Sequence, residues 1–187
     1  MEYALLGWPD DGPQLRLDHR EFSYAGKFVM SNTGKAVVRG DERDGERDGE
    51  YDDLLGAIAF NEDRTDSATA WLRYVTVRRD RRGEGIGARL AGFAADRLES
   101  RGYDRVKIAV NNPFAYHALH KAGFGYTGEQ TGLAELVLAR PADRSREDYQ
   151  SGLNVYRGRG DDLAPEERDF LDAKAGAGPP DVISVPK

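Results

Sequence analysis

Residues able to do chemistry concentrate between Val75 and Gly87, which read V-T-V-R-R-D-R-R-G-E-G-I-G. Arg78, Arg79, Arg81 and Arg82 crowd one short stretch, and Gly83, Gly85 and Gly87 follow in alternation with Glu84 and Ile86. Glycines permit positive φ and close backbone approach to a ligand. A helical pattern begins just behind them, and the first turn of a helix leaves N–H groups without partners at its positive end. A strand, a glycine turn and a helix start together make an anion cradle suited to phosphates. Arginines on its lip add charge-assisted hydrogen bonds to phosphate oxygens. The Walker pattern fails, because Ala88 and Arg89 stand where Lys and Ser or Thr would be needed. Counted from Gly83, G-x-G-x-x-G is completed by Ala88 as the tolerated alternative, with Asp104 near the acidic position, so a dinucleotide stays open.

The better match is R-x-x-G-x-G, formed by Arg82, Gly85 and Gly87, preceded by V-x-V and followed by a helix. This stretch resembles the acetyl-CoA-binding signature of the GNAT-type N-acetyltransferase superfamily. Asn112, Ala115 and Lys121-Ala122-Gly123-Phe124 resemble that family's second motif, N-x-x-A…K-x-G-F. The resemblance covers roughly Leu54 to Arg140.

The resemblance implies an α/β (α+β) fold: a mixed, mostly antiparallel central sheet, one parallel strand pair splayed around the cofactor, and helices on both faces. It implies transfer of the acetyl group of acetyl-CoA directly to a primary amine, with acetyl-CoA as cosubstrate and no metal. By position, the pantetheine arm would bond the backbone of Val75 and Val77, and Arg82, Gly83, Gly85, Gly87 and Ala88 would surround the pyrophosphate. Asn112 would meet the cofactor near the end of the fifth strand. Many members place a Tyr five residues before the Phe of G-F to protonate the leaving thiolate, but Leu119 occupies that position here. Tyr116, on the same side of the helix, is the substitute, and His120 is the second acid–base candidate. Phe22, Tyr24 and Phe28 lie where the family builds part of its acceptor wall, although aromatic core packing is the commoner use of such residues. Leu119 also motivates a rival reading, a coenzyme-A-binding sensor or catalytically inactive homologue. The acceptor could be a small molecule or a peptide, and a homodimer stays open.

Composition sets the outer bounds. At 187 residues, 39% hydrophobic and 32% charged, the chain suits one globular domain with a full core plus a tail. No apolar run approaches the roughly 20 residues of a membrane span, and Met1–Trp8 lacks the basic and apolar regions of a secretory signal. The absence of cysteine excludes disulfides, thiolate nucleophiles and cysteine-bound zinc, and the default location is the cytoplasm. A net charge of −6 argues against generic nucleic-acid binding. The acidic run 40–53, with its echo E-R-D-G-E-R-D-G-E, fails the calcium-loop spacing and reads as a solvated hairpin loop or an attractor for a cationic amine.

The elements that must position these residues follow from pattern. Strands are predicted at Glu2–Trp8, Ala36–Arg39, Leu54–Phe60, Ala68–Val77 and Tyr103–Val110, with a final hairpin of Gly125–Glu129 and Leu133–Arg140. Asp18-His19-Arg20-Glu21 has the form of a capping box, predicting a helix that runs to Ser31-Asn32-Thr33-Gly34. Ile86, Leu90, Phe93, Ala94 and Leu98 make the apolar stripe of the helix behind the glycine turn, which Gly102 ends. Asn112-Pro113 opens a short helix to about Ala122. The organisation expected is one acetyltransferase-like domain over 1–141 and a polar extension over 142–187, partly helical at Pro165-Glu166-Glu167 or flexible.

Overall fold

The computed structural model describes residues 1–40, 53–132 and 134–185. The acidic loop therefore lies, but for Gly40 and Asp53, outside the described residues. Among the described residues seven strands and four α-helices make a mixed α/β fold, distributed over two compact units. The first comprises Met1–Asp104 with the residues from Ser184, and the second Arg105–Ile183.

In the first unit, β1 (Glu2–Gly7), β2 (Gly34–Arg39), β3 (Leu54–Glu62) and β4 (Thr69–Val77) pair in that order, each antiparallel to the next. The pleat sends alternate residues to opposite faces. A Cβ at Gly56 would touch Val38 and Leu90, so that face carries α1 (Ile86–Arg101). The stripe Ile86, Leu90, Phe93, Ala94 and Leu98 is buried, as its spacing predicts. The other face holds Val37, Ala57 and Ala59 beneath Leu15, Phe22 and Phe28 of the long connection between β1 and β2.

That connection is not the predicted helix; it contains only short 3-10 turns and bends, including Ala25–Lys27. Asp18 does not cap a helix but takes the Arg20 N–H at 2.8 Å in a tight local turn. Lys35, fully buried on β2, then gathers the loop's carbonyls. Its ammonium donates to Pro13 O, Met30 O and Thr33 O at 2.8–2.9 Å, and to Thr33 Oγ1 at 2.6 Å. The bond to Pro13 spans 22 residues of sequence, and together with the shorter ones it overrides the local helical pattern here.

In the second unit, β7 (Glu135–Arg140) lies between β5 (Arg105–Val110) and β6 (Gly125–Thr131), antiparallel to both. Around them stand α2 (Pro113–Lys121), α3 (Arg146–Arg157) and α4 (Pro165–Ala173). The region after 141 supplies two helices of this unit, one of them starting at Pro165, and Tyr149, Leu153, Tyr156, Leu163 and Leu171 are all buried. Among the described residues no helix is long and apolar enough to cross a membrane.

Candidate functional site

The glycine turn forms within the first unit from the end of β4 and the start of α1. Arg78 N–H bonds Leu55 O at 2.9 Å, which holds the chain in the sheet to the last possible residue. A short 3-10 turn (Arg79–Arg81) follows, and Arg82 returns to extended backbone. Gly83 and Gly85 then adopt φ of +86° and +76°, conformations that L side chains rarely take. Gly85 is the N-cap of α1, so no side chain caps the helix, and the first helical bond is Arg89 N–H to Gly85 O at 3.1 Å. The first-turn N–H groups of Ile86, Gly87 and Ala88 are left to an external acceptor. A Cβ at Gly87 would stand 3.3 Å from Val77 Cγ2, so glycine there lets the helix start close against the strand. Ala88 is buried beside it.

Electrostatics reinforce the backbone. Five arginines (78, 79, 81, 82 and 89) meet two carboxylates, Asp80 and Glu84, in this turn. Arg78 Nε holds Asp80 at 2.7 Å, and Arg81 grips Glu84 through Nε and Nη2 at 2.8 and 2.9 Å. These guanidiniums hold both carboxyls below the usual carboxylate range. Arg82 is exposed, with Nη2 donating to Ser23 Oγ at 2.9 Å and Nε to Val77 O at 3.3 Å. Its two acceptors are neutral, so an anion at the turn would be the stronger partner. Uncapped N–H groups, open space at Gly83 and a net positive rim fit a diphosphate.

The structure therefore brings Val75, Val77, Arg82, Gly83, Gly85, Gly87 and Ala88 together on one strand–turn–helix segment. Asn112, Tyr116 and His120 belong to the second unit. Asn112 is the N-cap of α2, its Oδ1 accepting from Ala115 N–H at 2.8 Å. The asparagine thereby closes the first helical turn, which accounts for its place three residues before Ala115.

Tyr116 and His120 are placed differently from the acid–base expectation. Tyr116 is fully buried, and its hydroxyl donates to Tyr149 O at 3.1 Å and Asp148 O at 3.4 Å. Its ring stacks on Tyr149 at 5.7 Å and meets Tyr156 edge-on at the same distance. Burial, with three neighbouring tyrosines, pushes the phenol above its ordinary value, which strengthens its hold on its proton. Gly152 of α3 makes room for the phenol, since a Cβ there would collide with the Tyr116 hydroxyl. His120 is 1% exposed, with Nδ1 on Tyr116 O at 2.9 Å, and desolvation lowers its pKa to about 4. Neighbouring His117 shares a 2.8 Å hydrogen bond with the Tyr149 hydroxyl and is also held at about 4 by burial. These side chains join α2 to α3. The sequence carried a signal for α3 in Ser145-Arg146-Glu147-Asp148, where Ser145 Oγ accepts from Asp148 N–H at 3.0 Å. Tyr149, Leu153 and Tyr156 then recur at helical spacing.

The proposed acceptor-wall aromatics separate by burial. Phe22 and Phe28 are in the core, while Tyr24 is 56% exposed at a left-handed φ of +60°, 6.0 Å from the Tyr74 ring. Phe22 and Tyr24 both line an open groove, Phe22 from its buried floor and Tyr24 from its exposed side.

Solved structures with a similar fold include nourseothricin acetyltransferase (24% identity, TM-score 0.47, covering 59% of this chain and 66% of that one). A GCN5-related N-acetyltransferase from Kribbella flavida is 22% identical at a TM-score of 0.46, covering 59% and 68%. A Bacillus subtilis acetyltransferase in complex with CoA is 16% identical at 0.44, covering 57% and 75%. The chain thus spans just under two thirds of the length of nourseothricin acetyltransferase. Comparison with curated proteins gives no match. The model of the acetyltransferase (GNAT) family matches residues 4–124, the cradle and the Asn112 to Phe124 motif included. With well over half of its length matched, this chain belongs to the GNAT acetyltransferase family.

Proposed function

We propose that this protein is an N-acetyltransferase that moves the acetyl group of acetyl-CoA directly to a primary amine. The observation that carries the reading is the uncapped N-terminus of α1 behind two positive-φ glycines, rimmed by arginines. In this reading the N–H groups of Gly87 and Ala88, with Gly83 and Gly85 allowing close approach, receive the diphosphate of coenzyme A. Arg82 leaves Ser23 and Val77 to pair with it, and the backbone of Val75 and Val77 guides the pantetheine arm. Asn112 contributes by fixing the start of α2. Acetyl-CoA supplies the activated acyl group; the chain supplies position and electrostatic stabilisation.

The proton inventory follows from burial. A phenol already donating to two carbonyls, with its pKa raised, is a poor donor to a thiolate, and His120 is neutral and enclosed. We assign Tyr116 and His120 to the packing of α2 on α3, with solvent supplying and removing protons.

Leu119 and the enclosed Tyr116 also support a second reading, a coenzyme-A-binding homologue without turnover. Thiol release from acetyl-CoA with a panel of primary amines separates the two. Amine-dependent release supports transfer; tight binding with no release across the panel supports the sensor.

A further inference from the structure

β4 leads from the cradle to a second concavity of the same unit. Continuing from Val77 past Val75, the course of the pantetheine arm in the reading above, the strand reaches Arg73 after two more residues, about 7 Å. A groove of about 470 Å³ opens there, lined among others by Asn61, Asp63, Arg64, Trp71, Arg73 and Tyr74. Arg73 is the extra residue of a β-bulge: Tyr74 faces Ala59 and Leu72 faces Phe60, leaving Arg73 opposite neither. Bulges re-aim side chains and gather next to functional sites.

The bulge presents a guanidinium fixed at one end only. Arg73 Nε donates to Asn61 Oδ1 at 2.6 Å, and its Cζ lies 5.2 Å from the centre of the Trp71 ring. Its two terminal nitrogens have no acceptor among the described residues. Arg64 adds a second positive charge to the same groove. The carboxylate present, Asp63, is already committed: it accepts from Trp71 Nε1 at 2.5 Å and from both the N–H and the hydroxyl of Thr65 at 2.8 Å. The groove therefore offers a planar, two-pronged donor backed by an indole, beside a second cation. That arrangement matches a carboxylate held by parallel hydrogen bonds. It repels a polyamine.

We propose that the acceptor is an amine that also carries a carboxylate, of the amino-acid class, and that the terminal nitrogens of Arg73 bind that carboxylate and set specificity. This rests on the acetyl-CoA-dependent reading above. The test compares L-amino acids with their amides, their aminophosphonate analogues and spermidine, with acetyl-CoA as donor. The acid is expected to exceed its own amide roughly ten- to hundredfold in kcat/KM, the difference lying in KM. Arg73→Ala should collapse that ratio and Arg73→Lys restore part of it, while calorimetry shows acetyl-CoA still bound. Amides or spermidine turned over as well as acids, a preference for phosphonates, or a ratio unmoved by Arg73→Ala overturns the proposal. Where acetyl-CoA binds and no amine reacts, fluorescence of Trp71 titrated with the amino acids decides. A change dependent on the acid and lost in Arg73→Ala supports the assignment, and no change overturns it. Failure to bind acetyl-CoA at all is a failure of the parent reading, and the same titration still reads the carboxylate site.

Discussion

Replacing Gly152 by alanine tests how the second unit is built and what Tyr116 does. Within α3 a Gly→Ala change alone would stabilise the helix by about 1 kcal/mol. Here the new Cβ would fall on the Tyr116 hydroxyl and the ring atoms next to it. The ring cannot withdraw freely, because Tyr149, Tyr156, Tyr126 and His120 surround it with ring centres 4.5–6.1 Å away. Moving it breaks the hydrogen bond of the hydroxyl, whose single proton Tyr149 O and Asp148 O share, at about 1 kcal/mol, and adds overpacking strain of about 1–3 kcal/mol. The net expectation for Gly152→Ala is a loss of about 1–3 kcal/mol, or roughly 2–12 °C in Tm for a chain of this length. Thermal and urea melts of Gly152→Ala, Tyr116→Phe and the double variant measure it. Tyr116→Phe should cost about 1 kcal/mol and keep kcat. Since the hydroxyl is the atom nearest the added methyl, the double variant should lose less than the sum of the singles. A Gly152→Ala protein as stable as the parent would refute the packing argument. A Tyr116→Phe protein with intact Tm and kcat down a hundredfold would return the tyrosine to the chemistry.

Two further predictions concern pH and one the buried lysine itself. His117 and His120 are held at about 4, below the ordinary 6.5. As pH falls the unfolded chain takes up protons first, so their contribution is complete above about 6.5 and is lost between there and 4. For the enclosed His120 it reaches about 3 kcal/mol. Urea midpoints that stay flat from pH 7 to 4, once carboxylate titration is matched by a His117→Gln, His120→Gln control, would contradict this. Lys35 is pushed down to about 8 by desolvation from an ordinary 10.5. The unfolded chain then binds the extra proton between those values, so this group makes the fold more stable as pH rises through that window. A Lys35→Met protein should lack that rise. It should also melt lower by roughly 2–4 kcal/mol, since the carbonyls of Pro13, Met30 and Thr33 lose their common donor. A Lys35→Met protein that melts with the parent would show that the lysine does not anchor the loop.

The parts legible in the sequence are those fixed by local chemistry. β4, the glycine turn and α1 follow from β-branched alternation, three closely spaced glycines and an apolar stripe whose members are all buried. Gly102 ends α1 at φ +111°, and Asn112 with Pro113 starts α2, as such residues do. The loop from Asp18 to Asn32 misled because the buried ammonium of Lys35 on β2 ties its end at Met30 to Pro13, 22 residues away from the lysine, a link that helical spacing does not reveal. Its capping pattern was real chemistry put to a different use, an Asp18 turn on Arg20. The tail was under-read for the opposite reason: its Ser145 cap and Tyr149, Leu153, Tyr156 stripe were present, but polar residues between them hid the face. Tyr116 shows where spacing stops informing. Its place on α2 was readable, whereas its enclosure depends on a glycine 36 residues later, on a helix not anticipated. The free fork of Arg73 was likewise invisible, because it needs the bulge opposite Ala59 and Phe60 to point it outward.

The central claim is that the start of α1 grips the diphosphate of an acyl carrier, and titration calorimetry with acetyl-CoA tests it most directly. Heat of binding at one site is predicted. Arg82→Ala should weaken it about ten- to hundredfold, and Gly85→Ala, strained at φ +76°, should weaken it further. Absence of binding heat from the folded parent protein, or an affinity untouched by both substitutions, would contradict the account.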